Sequence, residues 1–218
     1  MHIHSLKTKY MASNIYVIEE GDEAVIIDPS DADIVSFFIE SHRLTVSSII
    51  LTHEHCDHTY GMDTVRQKFG CHVLASRKCS ENLMDSKMNF SAYYCSFIRI
   101  QDQYDEREYK DIESFTSEAD LIFEKIYFFK WRSHLVYCRE TPGHTMGSIS
   151  ILIDHRYLFS GDSLFKDQFV DTRFKGGSMD LYREETLPWF RSLSSDVVVY
   201  PGHFDSCLLK DSAGISVV

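Results

Sequence analysis

The first apolar segments along the chain have the pattern of a β-hairpin. Ile15–Ile18 and Ala24–Ile27 are runs rich in β-branched residues, and Gly21 and Asp22 stand between them. Runs of this composition form strands, and a glycine beside an aspartate suits the tight turn that joins them. We therefore expect two antiparallel strands in this part of the chain.

A helix is predicted after the hairpin. Ser30, followed three residues later by Asp33, is typical of a helix start, where side-chain oxygens cap free backbone N–H groups. Ile34, Phe37 and Phe38 then recur at the spacing of one helix face. We expect these three residues to form the buried face of the helix.

A buried strand and a short helix are predicted next. Val46–Leu51 is a nearly continuous apolar run, as expected of a strand covered on both faces. Met62, Val65 and Phe69 have helical spacing, and Gly70 is suited to end that helix. The polar segment 53–58 therefore follows a buried strand directly.

The rest of the chain repeats this plan. Leu187, Phe190 and Leu193 mark a helix, in which Pro188 is tolerated because it falls in the first turn. Since no segment has the composition of a linker, we expect residues 1–218 to form one domain of two similar halves. Apolar runs predict further strands at Cys71–Ala75, Leu135–Cys138, Ser148–Ile153, Tyr157–Ser160 and Asp196–Tyr200.

Residues 79–114 show little periodicity. An aromatic and apolar patch begins at Tyr93 and Tyr94, and Asp102–Asp111 is a charge run. One interpretation is a solvated insertion with a local helix. The alternative is a segment that leans over a functional site, as long irregular loops often do.

Composition and charge narrow the classes of partner. The chain of 218 residues has a formal net charge of −11, which disfavours nucleic-acid binding because that needs a cationic surface. Six scattered cysteines without a CxxC pair, and no apolar run of signal or membrane length, predict a cytoplasmic protein that does not enter membranes. We expect a small-molecule substrate, and the sequence leaves a homodimer open.

The segment 53–58 reads His-Glu-His-Cys-Asp-His and contains a dense set of candidate metal ligands. His53, His55, Asp57 and His58 fall within six residues, a density for which packing offers no reason. Imidazole and carboxylate together are ligands of zinc and similar metals. The segment therefore predicts a metalloenzyme.

Three further motifs follow predicted strands and add candidate ligands. They are Thr-Pro-Gly-His-Thr with His144, Ser-Gly-Asp-Ser-Leu-Phe with Asp162, and Tyr-Pro-Gly-His with His203. Each places a ligand type beside glycine, where the backbone can turn sharply and approach a site closely. Together with segment 53–58 they supply seven side chains, enough for two metal ions.

These four motifs, in this order and at these spacings, resemble the metallo-β-lactamase superfamily over nearly the whole chain. The resemblance implies an α/β (α+β) fold, a four-layer αββα sandwich with the metals at one edge of its sheets. It also implies one triad for each metal and a shared bridging residue: His53, His55 and His144; Asp57, His58 and His203; and Asp162.

Within that superfamily the sequence looks most like the glyoxalase II-like hydrolases. True β-lactamases usually have cysteine or serine near the position of Asp162, and the stretch Gly161–Gly177 is similar to thioesterases and persulfide dioxygenases. The chain ends fifteen residues after His203, so we expect no C-terminal helical domain for glutathione. Where relatives commonly read Gly-Arg-Thr-Asp, this chain has Asp171 and Arg173 exchanged, which either preserves a structural pair or alters substrate contact.

The resemblance implies a hydrolase that uses two Zn²⁺. Zinc lowers the pKa of bound water from about 15.7 to about 7, so a hydroxide held between two metals would attack a carbonyl, with Asp57 and Asp162 as the catalytic carboxylates. A thiolate leaves without a proton, which favours a thioester or ester. The alternatives are a persulfide dioxygenase with one Fe²⁺ at His53, His144 and Asp162, a mixed Zn/Fe/Mn centre, a lactonase or β-lactamase-like hydrolase, and a non-catalytic scaffold.

Other residues are weaker candidates around the site. Asp28, Thr145 and Ser163 could orient ligands, although ordinary turn and capping roles explain them equally well. Arg173 and Lys175 could attract an anionic substrate, whereas exposed basic residues are usually only solvated. The full set of candidate substrate residues is Tyr93, Tyr94, Phe165, Phe169, Arg173 and Lys175.

Overall fold

Two six-stranded sheets form the centre of the computed structural model, which describes residues 1–100 and 109–216. The first sheet has the order β1 (His2–Lys7), β2 (Asn14–Glu20), β3 (Glu23–Ile27), β4 (Thr45–Ile50), β5 (His72–Ser76) and β6 (Leu121–Phe123). The second has the order β12 (Cys207–Leu208), β11 (Val198–Pro201), β10 (Tyr157–Gly161), β9 (Ile149–Ile153), β8 (His134–Glu140) and β7 (Ile126–Trp131).

Helices flank the two sheets. In the described residues these are α1 (Ala32–His42), α2 (Cys56–Thr59), α3 (Met62–Phe69), α4 (Arg77–Leu83), α5 (Tyr94–Arg99), α6 (Met179–Leu181), α7 (Leu187–Ser192) and α8 (Ala213–Ser216). Of these, α1, α3 and α4 pack on the outer face of the first sheet and α7 packs on that of the second. A π-helical turn at Tyr182–Thr186 precedes α7, and a 3₁₀ turn at Leu209–Asp211 precedes α8. None of the helices in these described parts is long and apolar enough to cross a membrane.

The core has three layers because the strands are apolar on both faces. Along β2, Ile15 and Val17 pack towards α1 and α3, whereas Tyr16 and Ile18 pack between the sheets. The second sheet places Ile151 between the sheets and Leu152 on its outer face, against Phe190 and other residues near α7. Successive strand side chains point to opposite faces, so this arrangement confirms the predicted four-layer αββα sandwich.

The strands that lead to the site are arranged as their sequences predict. β2 and β3 pair antiparallel, which confirms the hairpin, and β3, β4 and β5 run parallel in the interior of the sheet. In the second sheet, β10 and β11 are also parallel. Because parallel strands end at the same edge of a sheet, the segments that follow them are brought together.

The buried face of α1 differs from the prediction. Val35 and Ile39 are its fully buried apolar residues, whereas Phe37 is 76% exposed. The side chain of Asp31, rather than Ser30, caps the helix by accepting from the backbone N–H groups of residues 33 and 34. The prediction was correct for Phe38, which is partly buried against the core, and wrong for Phe37, because the buried face is centred on Val35 and Ile39.

Residues 79–114 contain α4, α5 and a small packed core of their own. Tyr94, Ile98 and Ile112 are buried there, together with Tyr10 and Cys56 from the loop regions before and after the first sheet's central strands. This part of the segment is therefore packed, not solvated. Most of the charge run that the sequence shows at 102–111 lies outside the described residues.

The edge strands β1, β6, β7 and β12 were not predicted. β7 has the sequence Ile-Tyr-Phe-Phe-Lys-Trp, in which Phe128 is 66% exposed and Trp131 is buried. Its apolar residues do not alternate with polar ones, so periodicity alone does not identify the strand. β1 has the sequence His-Ile-His-Ser-Leu-Lys, in which Ile3 and Leu6 fall on opposite faces, so it gives no period-two signal either.

Candidate metal centre and cavity

Four strand ends bring the seven candidate ligands to one edge of the sandwich. His53 and His55 follow β4, and Asp57 and His58 lie on α2, which begins directly after them. The remaining candidates each follow a strand of the second sheet, namely β8, β10 and β11: His144, Asp162 and His203. The first sheet therefore contributes four candidates and the second sheet three.

The histidines and Asp57 form two triads. The ligand atoms of His53, His55 and His144 all lie within 4.8 Å of one another, as do those of Asp57, His58 and His203. In the first triad, His55 Nδ1 lies 3.0 Å from His144 Nε2. In the second, His203 Nε2 lies 3.3 Å from Asp57 Oδ2 and 3.3 Å from His58 Nε2. Each triad has the dimensions of a single metal site.

Asp162 lies between the two triads. Its Oδ2 is 3.7 Å from His144 Nε2 in the first triad and 3.5 Å from His203 Nε2 in the second. Its Oδ1 is 3.5 Å from His58 Nε2. The carboxylate is therefore placed to reach both sites.

The donor atoms fit a metal centre. His53 Nε2 and Asp162 Oδ1 are buried and have no hydrogen-bond partner, although an unsatisfied buried polar atom costs about 1–3 kcal/mol. A metal ion would satisfy both atoms. Five imidazoles and two carboxylates are a donor set that suits zinc, iron or manganese. The residues present therefore fit two divalent metals.

Hydrogen bonds on the outer side of the centre orient several rings. His144 Nδ1 donates to the Asp171 carbonyl at 2.7 Å, and His203 Nδ1 donates to the Met11 carbonyl at 3.1 Å. His58 Nδ1 donates to Asp28 Oδ2 at 3.1 Å. Each bond directs Nε2 of its ring towards the centre, which is the usual way in which proteins position ligating histidines.

Asp28 joins the ends of two strands at this centre. It has a left-handed backbone (φ 53°) and accepts from the Thr52 backbone N at 2.7 Å and from Thr52 Oγ1 at 2.6 Å. Thr52 Oγ1 in turn accepts from His53 Nδ1 at 3.1 Å. Asp28 is therefore placed to orient His58 directly and His53 through Thr52.

The charges of the two triads differ. Burial and the neighbouring histidines lower the pKa of His53 well below its usual value and lower the pKa of His55 to about 3. Burial also opposes protonation of His58, but Asp57, Asp162 and Asp28 exceed that effect and raise its pKa to about 10. Burial opposes ionisation of Asp57, yet His58 and His203 hold its pKa below the usual range.

Glu54 is a buried residue whose importance was missed. Its side chain is fully buried and accepts hydrogen bonds from Asn82 Nδ2 at 2.6 Å and from Thr145 Oγ1 at 2.9 Å. Burial raises the pKa of its carboxyl to about 7. Thr145 thus contacts Glu54 instead of His144, and no local pattern in the sequence indicates this distant contact.

Ser163 has a structural contact in the described part of the chain. Its hydroxyl is buried and donates to the Thr141 carbonyl at 3.4 Å, and its own carbonyl accepts from the Tyr182 hydroxyl at 2.9 Å. Both contacts tie the loop after β10 to neighbouring segments. Ser163 therefore supports the loop that carries Asp162 without touching the candidate ligands.

A cavity of about 450 Å³ opens beside the metal centre. It is lined by five of the candidate ligands, by Asp171 and Gln168, and by an apolar set: Met11, Phe90, Phe97, Phe165, Phe169, Phe174 and Phe204. Phe165 and Phe169 were predicted there from the sequence. The other phenylalanines come from distant segments, and their place in the cavity was not predicted.

The remaining candidate substrate residues lie elsewhere. Tyr94 is fully buried in the core of residues 79–114, and neither Tyr93 nor Lys175 is among the described residues that line the cavity. Arg173 is 89% exposed and pairs with Asp171, its Nη2 lying 2.7 Å from Oδ2. Asp171 and Arg173, the two exchanged residues, therefore form a local ion pair, as the structural interpretation of the exchange predicts.

Comparison with known proteins identifies the family. The family model described as Metallo-beta-lactamase superfamily matches residues 9–203. A hydroxyacylglutathione hydrolase of Glaesserella parasuis is 27% identical over 189 residues, which cover 87% of this chain and 64% of that protein. This chain thus spans less than two thirds of that relative.

Solved structures agree with the fold. The crystal structure of BLEG-1 B3 metallo-beta-lactamase superposes with a TM-score of 0.81 and 26% identity, covering 96% of this chain and 95% of that chain. TTHA1623 in a di-iron-bound form superposes with a TM-score of 0.75 and 20% identity, covering 94% of each chain. The chain therefore belongs to the metallo-β-lactamase superfamily, as its four motifs predict.

Proposed function

We propose that the protein is a hydrolase that cleaves a small thioester or ester at a centre of two zinc ions. The observation that carries this proposal is the position of the Asp162 carboxylate between the two triads. One carboxylate within reach of two three-residue sites is the arrangement expected of a two-metal hydrolytic centre. The similarity to a protein named hydroxyacylglutathione hydrolase also supports a hydrolytic reaction.

The proposed ligands divide between the two metals. His53, His55 and His144 would hold one ion, Asp57, His58 and His203 would hold the other, and Asp162 would bridge them. Two such ions, when bound, lower the pKa of water and polarise a carbonyl oxygen. The identity of the metal is part of the proposal, because a relative of the same fold has been solved with two irons.

Asp57 and the cavity walls contribute to the reaction from the protein side. Asp57 is ionised because attraction to His58 and His203 exceeds the cost of its burial. Its carboxylate can therefore accept a hydrogen bond from the attacking water and orient it. Phe174, whose ring centroid lies 5.2 Å from that of His55 and 5.5 Å from that of His144, excludes bulk water from this side.

The absence of a separate proton donor favours a good leaving group. The described titratable residues that line the cavity are proposed ligands, apart from Asp171, whose carboxylate is paired with Arg173. In thioester hydrolysis a C–O bond forms as the C–S bond breaks, the thiolate keeps the electron pair, and protons from water pass to solvent. A thiol has a pKa of about 8.5, so its thiolate leaves without a general acid, unlike an amide nitrogen.

The size of the cavity and the state of the cysteines support two further parts of the proposal. A volume of about 450 Å³ falls within the range of small-molecule sites, so we propose a small-molecule substrate. All six cysteines are free thiols, which supports a cytoplasmic location.

Metal analysis combined with a substrate panel tests this function. Protein purified without added metal should contain about two zinc ions per chain and should hydrolyse acyl-thioesters faster than lactones or β-lactams. A single iron with oxygen consumption on a persulfide would contradict the hydrolase proposal. A clear preference for β-lactams would contradict the proposed substrate class.

Replacement of the bridging residue tests the centre itself. Asp162→Ala should lower the metal content and reduce kcat/KM by at least about a hundredfold, because it removes the group between the triads. Asp196→Ala is the matched control, because the side chain of Asp196 is 78% exposed, and it should leave metal content and kcat/KM unchanged. Unchanged turnover in Asp162→Ala would refute the bridging role.

A further inference from the structure

Three phenylalanines form one wall of the cavity beside the first triad. The ring centroids of Phe90 and Phe174 are 5.4 Å apart, those of Phe90 and Phe97 are 5.2 Å apart, and those of Phe97 and Phe174 are 6.2 Å apart. All three pairs meet edge to face, the arrangement that aromatic rings prefer. The wall is therefore a preformed aromatic surface.

This wall begins at the metal centre itself. The ring of Phe174 contacts His55 and His144, and the centroid of the Phe90 ring lies 6.0 Å from that of His55. A group attached to a carbonyl held at the centre would therefore have these phenyl rings as neighbours on this side of the cavity. No polar side chain from the described residues separates this wall from the first triad in the cavity lining.

A second aromatic wall lies beside the other triad. The ring centroids of Phe165 and Phe204 are 5.7 Å apart, and the centroid of Phe204 lies 6.2 Å from that of His203. Phe169, 65% exposed, forms part of the cavity rim. Six phenylalanines thus surround the approach to the centre from both sides.

Two of these rings are held by an unfavourable backbone. Phe90 has φ 68° and Phe204 has φ 66°, a left-handed region that bulky residues rarely adopt. Asn14 Nδ2 donates to the Phe204 carbonyl at 2.8 Å, and the Tyr93 backbone N donates to the Phe90 carbonyl at 3.0 Å, so neighbouring segments fix both conformations. Such strain is characteristic of functional positions, and here both strained phenylalanines face the cavity.

Beyond the metal centre, the described residues of the cavity offer no cationic side chain for a carboxylate substituent. Neither lysine nor arginine lines it within residues 1–100 and 109–216. Arg173 lies in a shallow pocket next to Phe97 and Phe174. Its Nε donates a hydrogen bond to Asp171 Oδ1 at 3.0 Å, and its Nη2 donates one to Asp171 Oδ2 at 2.7 Å. A negatively charged substituent would therefore meet phenyl rings and the Asp171 carboxylate.

We propose that the substrate carries an uncharged, aromatic-sized apolar group on its acyl side, which lies between these phenylalanines. The inference rests on the proposed hydrolysis, because the acyl carbonyl is what the centre would hold. The first wall, formed by Phe90, Phe97 and Phe174, comes from segments outside the four metal-binding motifs. Contact between an aromatic substrate group and these phenylalanine rings would also exclude water from the metal centre.

A thioester series with one common thiol tests the proposal. Acetyl, phenylacetyl and succinyl thioesters of N-acetylcysteamine differ only in the acyl group, so their kcat/KM values compare acyl contacts. We expect phenylacetyl to exceed acetyl by at least about tenfold and succinyl to be the poorest, since a well-matched apolar pocket discriminates by such factors. Equal values, or a preference for succinyl, would overturn the inference.

Variants of the wall provide a second measurement. Phe174→Ala and the rim variant Phe169→Ala should reduce the ratio of phenylacetyl to acetyl kcat/KM. Phe37→Ala makes the same chemical change on the exposed face of α1, away from the cavity, and should leave the ratio unchanged. Phe169 is exposed, so its variant can be expected to fold even where Phe174→Ala does not. An unchanged ratio of phenylacetyl to acetyl kcat/KM in both Phe174→Ala and Phe169→Ala would contradict the proposal.

Binding of the free acids separates this inference from the proposed function. Phenylacetate and acetate present the same carboxylate to the metal-loaded protein, so the ratio of their Kd values reports the phenyl contact alone. We expect phenylacetate to bind at least about tenfold more tightly. Tighter binding of phenylacetate without any cleavage of thioesters or esters would refute the hydrolase proposal and support the cavity inference. Cleavage with equal Kd values for the two acids would support the hydrolase proposal and contradict the cavity inference.

Discussion

At the residue scale, Glu54 connects two ligand-bearing loops. Its backbone stands between His53 and His55, and its carboxylate accepts from Thr145, the residue after His144. Gly147 permits this approach, because a Cβ at that position would overlap the Glu54 carboxylate. The first triad is thus held together by a buried hydrogen-bonded carboxylate as well as by the backbone.

Glu54→Ala should weaken zinc binding by about 10–100-fold, as loss of a group that orients ligands typically does. It should also lower the free energy of unfolding by about 1–3 kcal/mol, because Asn82 and Thr145 lose their acceptor in the interior. Zinc affinity is measured by competition with a chromophoric chelator, and stability by urea unfolding.

Two variants complete the Glu54 experiment. Glu54→Gln keeps an oxygen for Asn82 and an amide that can donate to Thr145, so it should restore most of the affinity. Glu81→Ala on α4, whose side chain is 53% exposed and pairs only at the surface with Lys78, should leave zinc affinity unchanged. Wild-type affinity in Glu54→Ala would show that the backbone alone positions the triad.

At the element scale, the ends of β10 and β11 approach each other so closely that one of them needs glycine. Gly202 follows β11, and its backbone N–H donates to the Gly161 carbonyl at 2.9 Å. A Cβ at Gly202 would overlap the Asp162 carboxylate and lie 2.7 Å from His58 Cε1. The register of these two parallel strands therefore sets the distance between Asp162 and the second triad.

Gly202→Ala should lower the metal content from about two ions per chain towards one and reduce kcat/KM by about a hundredfold, because displacement of Asp162 and His58 disturbs the second site. Metal content is measured by elemental analysis after desalting. Gly70→Ala provides the control: Gly70 has φ 65° at the end of α3 with no atom within 4 Å, so it should cost about 1 kcal/mol of stability while metal content is kept. Retention of two metals in Gly202→Ala would contradict this geometry.

At the scale of the whole molecule, the metal centre joins the two sheets. Four of the proposed ligands follow β4 of the first sheet, and three follow strands of the second. Around them, the core between the sheets contains Ile27 and Ile50 from one side and Ile151 and Phe159 from the other. Metal ions would therefore add a link between layers that also meet through apolar packing and through hydrogen bonds, such as that from the Tyr16 hydroxyl to the Pro201 carbonyl at 2.6 Å.

Removal of metal should lower the thermal stability of the protein. Ligands that bind only the folded state at a thousand times their Kd contribute about 4 kcal/mol, which corresponds to a Tm decrease of about 8–16 °C for a chain of this size. Tm is measured by circular dichroism with and without a chelator, and metal content is measured on the same samples. The Asp162→Ala variant should respond less to the chelator. An unchanged Tm after complete metal removal would show that metal does not contribute to holding the layers together.

Much of the fold could be predicted because its signals are local. Val46–Leu51 and the strands after it are apolar runs, and such runs become interior strands whatever surrounds them. The four motifs likewise identify the candidate ligands, since their residue types and order lie in short segments. The rotation of α1 could not be predicted, because periodicity assigns the exposed Phe37 to the core. The edge strand β7 could not be predicted, because its apolar residues, among them the exposed Phe128, do not alternate with polar ones.

The sequence by itself determined the family, the layered architecture and the set of candidate metal ligands. Only the tertiary structure decided what surrounds them. Phe90 and Phe204 reach one cavity from segments more than a hundred residues apart, each through a left-handed backbone that neighbouring segments impose. The carboxylate of Glu54 likewise accepts a hydrogen bond from Asn82 of α4, a contact between segments that are distant in the sequence. Ligand type depends on a residue's own chemistry, whereas cavity walls and buried polar contacts depend on long-range packing, which a linear pattern does not record.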